Sequence, residues 1–227
     1  MSSGAWGKSS APPRTAQPTA PQQPTAPASS GSLSKIRQLQ RPASISNASP
    51  LQSPSQTENL HLLRTTWVIF FLHRPPGQKI RDFDTAMKRI GAFSSLEDFW
   101  GIYMHLRPIN ELPVVSDYHI FRAGVKPTYE DPANVNGGKW QIRFKKGLSA
   151  RMWETLVLAI VGDQFSEIGD ELCGAVMSSR SQEDVLSVWN RTATNGSSNL
   201  KIRNMIRSVL SLNMDVNMEY ISHVSRI

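Results

Sequence analysis

Tyr129 and Glu130 stand side by side in "KPTYEDPANVNGGKW", residues 126–140. An aromatic face next to a carboxylate can stack a flat ring and accept hydrogen bonds from its edge. The same pair can also be no more than a turn ahead of a strand. Catalytic constellations are not found. The five histidines, His61, His73, His105, His119 and His223, show no HExxH or other metal-ligand spacing. There is no GxSxG nucleophile elbow and no GxxxxGK[ST] phosphate loop, and Gly137-Gly138 is too short to cradle a phosphate. The acidic pairs Glu130-Asp131 and Glu183-Asp184 fall at expected loop or strand edges, where solvated charge is the ordinary outcome. A hydrolase using Glu130 and Asp131 would have no supporting groups around it, so no enzyme and no cofactor is implied. The single Cys173 leaves no internal disulfide framework and no Cys-based zinc site.

These residues sit in a chain of uneven composition. Residues 1–57 contain no Asp or Glu but do contain Lys8, Arg14, Lys35, Arg37 and Arg41, five of the net +7 charges of the 227-residue chain. They also hold nine of the 15 prolines. Such a segment cannot bury enough apolar surface to offset its ordering entropy, and a disordered basic tail is expected. "PTAP" at 18–21 and 24–27 offers a short partner motif, and Ser49-Pro50 and Ser53-Pro54 offer phosphorylation sites; biased composition alone also produces both. Residues 58–227 carry 20 Lys and Arg against 18 Asp and Glu, so an acidic ligand must be held by a few placed charges. No segment has the apolar core of a leader or the roughly 20 apolar residues of a membrane span. The expectation is a soluble, cytoplasmic protein with one folded domain, 58–227.

The elements that must position Tyr129 and Glu130 read as follows. "LRTTWVIFFLHR" (63–74) is a buried strand by its β-branched and aromatic content, and 73–84 is a loop broken at Pro75-Pro76-Gly77. "SSLEDFWGIYMHL" (94–106) is a helix with Ser95 and Asp98 as capping box and Leu96, Phe99, Trp100, Tyr103 and Leu106 at helical spacing. Strands follow at 117–125 and 138–147. A second helix spans 149–165, with Trp153, Leu156, Val157, Ile160 and Val161 inward. Strands at 171–180 and 183–191 form a hairpin. A third helix spans 197–213, with Leu200, Met205, Val209 and Leu212 inward, and a last strand covers 216–224. This order gives an α+β fold: one curved, mainly antiparallel sheet with helices on its convex face and an open concave face. Trp67, Trp140 and Trp153 are expected in the core. Trp100 lies on a helix with more apolar surface than one buried face needs, as a partner anchor would.

The order of "SLEDFWGIY", "GVKPTYEDPANVNGGKW", "WETLVLAIVGDQF", "CGAV" and "EDVLSVWN" resembles the translation initiation factor 4E family of messenger-RNA cap-binding proteins, over about residues 60–224. "KGLSARMWE", "QFSEIGDELCGAV" and "QEDVLSVWN" are most similar to the second class of that family. The resemblance implies about eight antiparallel strands backed by three helices. It also implies a 7-methylguanosine cap held in the concave face between two aromatics. By this resemblance Phe83 and Tyr129 are the stacking positions, with Arg81 an alternative cover for the base. Glu130 reads the guanine edge, Arg180 and Lys139 hold phosphates, and Trp189 contacts the base methyl group. On the convex face His61, Leu96, Trp100 and Leu158 would receive scaffold or repressor proteins carrying a helix with a tyrosine, four variable residues, a leucine and a hydrophobic residue. The implied assembly is a monomer apart from such partners and capped messenger RNA.

The chain departs from the family at informative positions. Both stacking positions are tryptophan in the common factor, and here they are Phe83 and Tyr129. A phosphate-binding lysine falls on Val185, and a rim proline on Leu62. Tryptophan has the best cation-binding face, so weaker cap affinity and a repressor-type role in translational control are expected. The alternative is an interaction module of the same fold that has lost cap binding.

Overall fold

Strand alternation decides which side chains meet. Seven strands, β1 (Leu62–His73), β2 (Lys88–Ser95), β3 (Ser116–Arg122), β4 (Gly138–Lys145), β5 (Leu172–Ser179), β6 (Glu183–Asn190) and β7 (Met218–Ser222), form one curved antiparallel sheet in the order β2-β1-β3-β5-β6-β4-β7. The helices are α1 (Phe83–Ala86), α2 (Leu96–Tyr103), α3 (Ser149–Val161) and α4 (Gly196–Val209), with 3-10 turns at Ile109–Glu111 and Ser166–Glu171. This computed structural model describes residues 60–75, 77–78 and 82–224. The expected tail (1–57), its PTAP repeats and Ser-Pro sites, and Arg81 lie outside the described residues.

Successive residues on a strand point to opposite faces. The pairings Trp67↔Arg122, Ile69↔Ile120 and Phe71↔Tyr118 between β1 and β3 continue as Ile120↔Ala175 and Tyr118↔Met177, then Ala175↔Val188 and Met177↔Leu186. This apolar face is covered by Phe99 of α2, Leu156 and Ile160 of α3, and Ile202 and Ile206 of α4, all buried in one core. The opposite face is the open one. Its rows run Phe70↔His119↔Val176↔Ser187 and Leu72↔Asp117↔Ser178↔Val185, with Lys139 paired to Trp189 at the β4–β6 edge. Trp67 and Trp153 are core residues as expected; Trp140 is half-buried and donates its indole N–H to the Asn199 carbonyl at 3.0 Å.

The structure corrects the expected elements in three places. Seven strands are described, in keeping with the expected count of about eight, and β2, unread in the sequence, is among them. Lys88, Arg89 and Gly91 dilute its strand signal; pairing with β1, including Trp67↔Phe93 and Val68↔Ala92, holds it. The segment 73–84, expected as loop, ends in the single turn α1. There the Thr85 hydroxyl donates to the Asp82 carboxylate and Met87 N–H reaches the Phe83 carbonyl at 3.0 Å. The third long helix is rotated from its expected phase: Leu200 is exposed, and Asn199, Ile202 and Ile206 are buried. A polar anchor sets that rotation. The Asn199 side chain accepts from Asn190 Nδ2 at 2.8 Å and donates to the Ala193 carbonyl at 2.8 Å, which turns position 199 inward and carries 200 outward. Met205, Val209 and Leu212 pack partly buried against the core.

Candidate functional site

Phe83, Tyr129, Glu130, Lys139, Arg180 and Trp189 all line one cavity of about 240 Å³ at the open face. They come from five parts of the fold. Phe83 opens α1 and is exposed. Tyr129 and Glu130 lie in the loop from β3 to β4. That loop is held by Asn134, whose side chain donates to the Lys126 and Thr128 carbonyls, both at 2.8 Å. Lys139 and Trp189 face each other across β4 and β6. Arg180 follows β5 and is pinned at both ends. Its backbone N–H reaches Asp184 at 3.2 Å, and its guanidinium donates to the Ser179 carbonyl at 3.0 Å and pairs with Asp117 at 2.8 Å.

The acidic pair separates into two roles. Asp131 is buried and accepts the backbone N–H groups of Lys126 and Ala133, both at 2.8 Å. It holds the loop and is not available for acid–base chemistry. Glu130 is exposed and lines the cavity. Among the described residues no cluster of three or more His, Cys, Asp or Glu suits a metal ion.

The structure differs from the expected arrangement of rings. Tyr129 lies on Trp189, with centroids 4.9 Å apart and planes inclined by 21°. Lys139 Nζ donates to the Tyr129 hydroxyl at 2.9 Å and stands over both rings, 5.3 Å from one centroid and 5.5 Å from the other. The expected stacking ring is thus packed on the ring expected to meet the base methyl group, and the expected phosphate contact is directed at the stacking ring.

The cavity also contains Asp117, His119, Ser178 and Ser187, which the motif reading missed. Their signal was alternation: in "DYHIF" the polar residues Asp117 and His119 fall on one face and the core residues Tyr118 and Ile120 on the other. His119 is 5% exposed. Its pKa is lowered to about 4: burial drives it down, the Asp117 carboxylate opposes this, and the nearby Arg180 adds to the lowering. A larger cavity of about 350 Å³ lies among residues such as Tyr103, Tyr118 and Trp153; none of the six predicted site residues reaches it.

On the helix-covered side, His61 precedes β1 and joins the first turn of α2. Its carbonyl accepts from Leu96 N at 2.9 Å, and its ring lies 2.7 Å from the Glu97 carboxylate. That hydrogen bond lowers the Glu97 pKa. Leu96 is half-buried, whereas Trp100 is 46% exposed and Leu158 38% exposed. Trp100 meets the buried Phe99 ring edge-on at 5.0 Å, so its orientation is fixed although its surface is open.

Residues 62–227 match the family described as Eukaryotic initiation factor 4E. The chain is 46% identical over 164 residues to Eukaryotic translation initiation factor NCBP of Triticum aestivum, covering 72% of this chain and 70% of that protein. It is 45% identical over 164 residues to Eukaryotic translation initiation factor 4E-4 of Caenorhabditis elegans, covering 72% and 77%. A solved complex of C. elegans eIF4E-3 with the 4E-binding protein Mextli and cap analog superposes with a TM-score of 0.69 at 34% identity, covering 74% of this chain and 95% of that one. Ascaris suum eIF4E-3 with m7G cap gives a TM-score of 0.68 at 31% identity, covering 73% and 92%.

Proposed function

We propose, from the premise that this chain belongs to the eukaryotic initiation factor 4E family, that it binds the 7-methylguanosine cap of messenger RNA in the open-face cavity. The family consists of translation initiation factors, not enzymes, and the chain acts by binding alone. One observation carries the reading: all six predicted cap-binding residues line the same cavity. N7-methylation makes guanine a delocalised cation, and each ring face it meets contributes roughly 0.5–2 kcal/mol. Stacking adds about 1–3 kcal/mol per base. Phe83 and Tyr129 supply the faces, Trp189 meets the methyl group, and Glu130 accepts the two donors of the guanine edge. Arg180, held in place by Asp117, takes the phosphates, with Lys139 beside it.

The helix-covered side is the second interface. His61, Leu96, Trp100 and Leu158 receive a partner-protein helix, with Trp100 as the oriented, exposed anchor. The chain is then a cytoplasmic adaptor that joins capped messenger RNA to a scaffold or repressor. Phenylalanine and tyrosine at the stacking positions and Val185 on the open face lower cap affinity, which favours a repressor-type role.

The test is a fluorescence titration of the full chain with 7-methyl-GTP and, separately, with GTP. Trp189 at the cavity floor is the reporter, and a clear preference for the methylated nucleotide is expected. Equal affinity for both would refute the cationic stacking. Binding of neither would leave the helix-covered face as the working surface of an interaction module.

A further inference from the structure

His119 is a buried polar group that nothing around it satisfies. It lies at the centre of the open face, where its strand partners are Phe70 on β1 and Val176 on β5, and its ring lies 6.3 Å from that of Phe121. None of these can accept from or donate to an imidazole. Both ring nitrogens are without a hydrogen-bond partner among the described residues, and the residue lines the cavity. Orphaned buried donors are rare because each forfeits its bonds to water, and a ligand atom is one of the few things that repays them.

Alternation along β3 fixes what that atom would be. Phe121, Asp117 and His119 share the open face, with His119 in the middle. At one end Phe121 meets Trp189 edge-on at 5.5 Å, which is the base end of the site. At the other end Asp117 pairs with Arg180 at 2.8 Å, which is the phosphate end. A nucleotide laid along this line places its sugar-to-phosphate junction over His119. We propose that His119 donates an imidazole N–H to the first phosphate of the bound nucleotide. This rests on the reading of the cavity as the nucleotide site. Burial keeps the ring neutral at physiological pH. It therefore acts as a single directed donor, while the phosphate charge is balanced by Arg180.

The test compares 7-methylguanosine, 7-methyl-GMP and 7-methyl-GTP binding to the full chain and to its His119→Ala and His119→Gln variants. His119→Ala is expected to lose about tenfold affinity for both phosphorylated ligands and none for the nucleoside, as removal of one hydrogen bond to a charged group would give. His119→Gln keeps an N–H donor and recovers part of the loss. An equal loss on all three ligands would make His119 a structural or sugar-contacting residue, and no loss on any would remove it from the site; either overturns the proposal. A measurement on the unaltered chain covers the case of misfolded variants. The ¹⁵N resonances of the His119 ring should shift with 7-methyl-GMP and stay in place with 7-methylguanosine; the same response to both overturns the proposal. If the unaltered chain binds none of the three, it is the reading of the cavity that fails, and this proposal falls with it.

Discussion

Asp131 accepts two backbone N–H groups inside its loop, while its neighbour Glu130 faces the cavity. Two carboxylates of nearly the same chemistry are divided by which way one strand of loop turns. Glu130→Ala should therefore weaken 7-methyl-GTP binding by about 1–3 kcal/mol, the worth of one bidentate edge contact, with the fold intact; calorimetric titration measures this. Asp131→Ala should instead lower the melting temperature. His119 makes a different statement about pH. Its folded pKa is about 4 against an ordinary value of 6.5, so the unfolded chain binds the extra proton between these two values. Stability is full above about pH 6.5, falls as the pH drops toward 4, and levels off below. The loss is on the order of 3 kcal/mol. Urea melts at pH 4 and pH 7 should show it, and His119→Gln should flatten it. At this scale the sequence carried Tyr129-Glu130 and Trp189 in contiguous motifs. Asp117 and His119 carried no motif; only their register on β3 reveals them.

At the scale of elements, α2 links capping to recognition. Ser95 is buried and its hydroxyl accepts the Asp98 N–H at 3.1 Å, closing the first turn that carries Leu96 and Glu97. Ser95→Ala should cost about 1 kcal/mol of stability and weaken partner-helix binding more than nucleotide binding; a thermal melt and two parallel titrations separate these. The start of β4 is a tighter constraint. A Cβ on Gly137 would lie 2.0 Å from the Asn190 carbonyl oxygen, so Gly137→Ala must move backbone and should cost about 1–3 kcal/mol, read from the urea midpoint. The inward stripe of α3 was legible from spacing because apolar packing alone sets its phase. The phase of α4 was not, because a buried Asn199 and its bonds to Asn190 and Ala193 override the apolar pattern. β2 escaped notice for the converse reason: its charged and glycine residues carry little strand preference, and only the pairing with β1 makes it a strand.

For the whole molecule, one sheet separates the open-face cavity from the helix-covered side that carries Trp100. The residues that line the cavity and those that carry Trp100 share no side chain, since alternation sends neighbours on each strand to opposite sides. Trp100→Ala should abolish binding of a Tyr-x4-Leu-hydrophobic helix and leave the 7-methyl-GTP affinity unchanged within error. A pull-down with such a peptide and the nucleotide titration provide the two readouts. Loss of both together would mean that the sheet transmits a change between its faces. The architecture was legible because strand and helix patterns alternate in an order that admits few packings. How Tyr129 would rest was not legible, since a ring's rotamer depends on partners that only the folded sheet assembles.

Lys139 gives that resting position a consequence. Its ammonium stands 5.3 Å and 5.5 Å from the centroids of Tyr129 and Trp189. If the cavity takes a methylated guanine, as proposed, that positively charged base would meet an aromatic surface that a cation already occupies. Like charges repel there, so on the proposed reading entry would be an exchange, with Tyr129 lifting from Trp189 and the ammonium turning toward the phosphate chain. Methylated and unmethylated base would displace the same ammonium, so the lysine lowers the affinity for both and leaves the selectivity between them to the positive charge of the methylated ring.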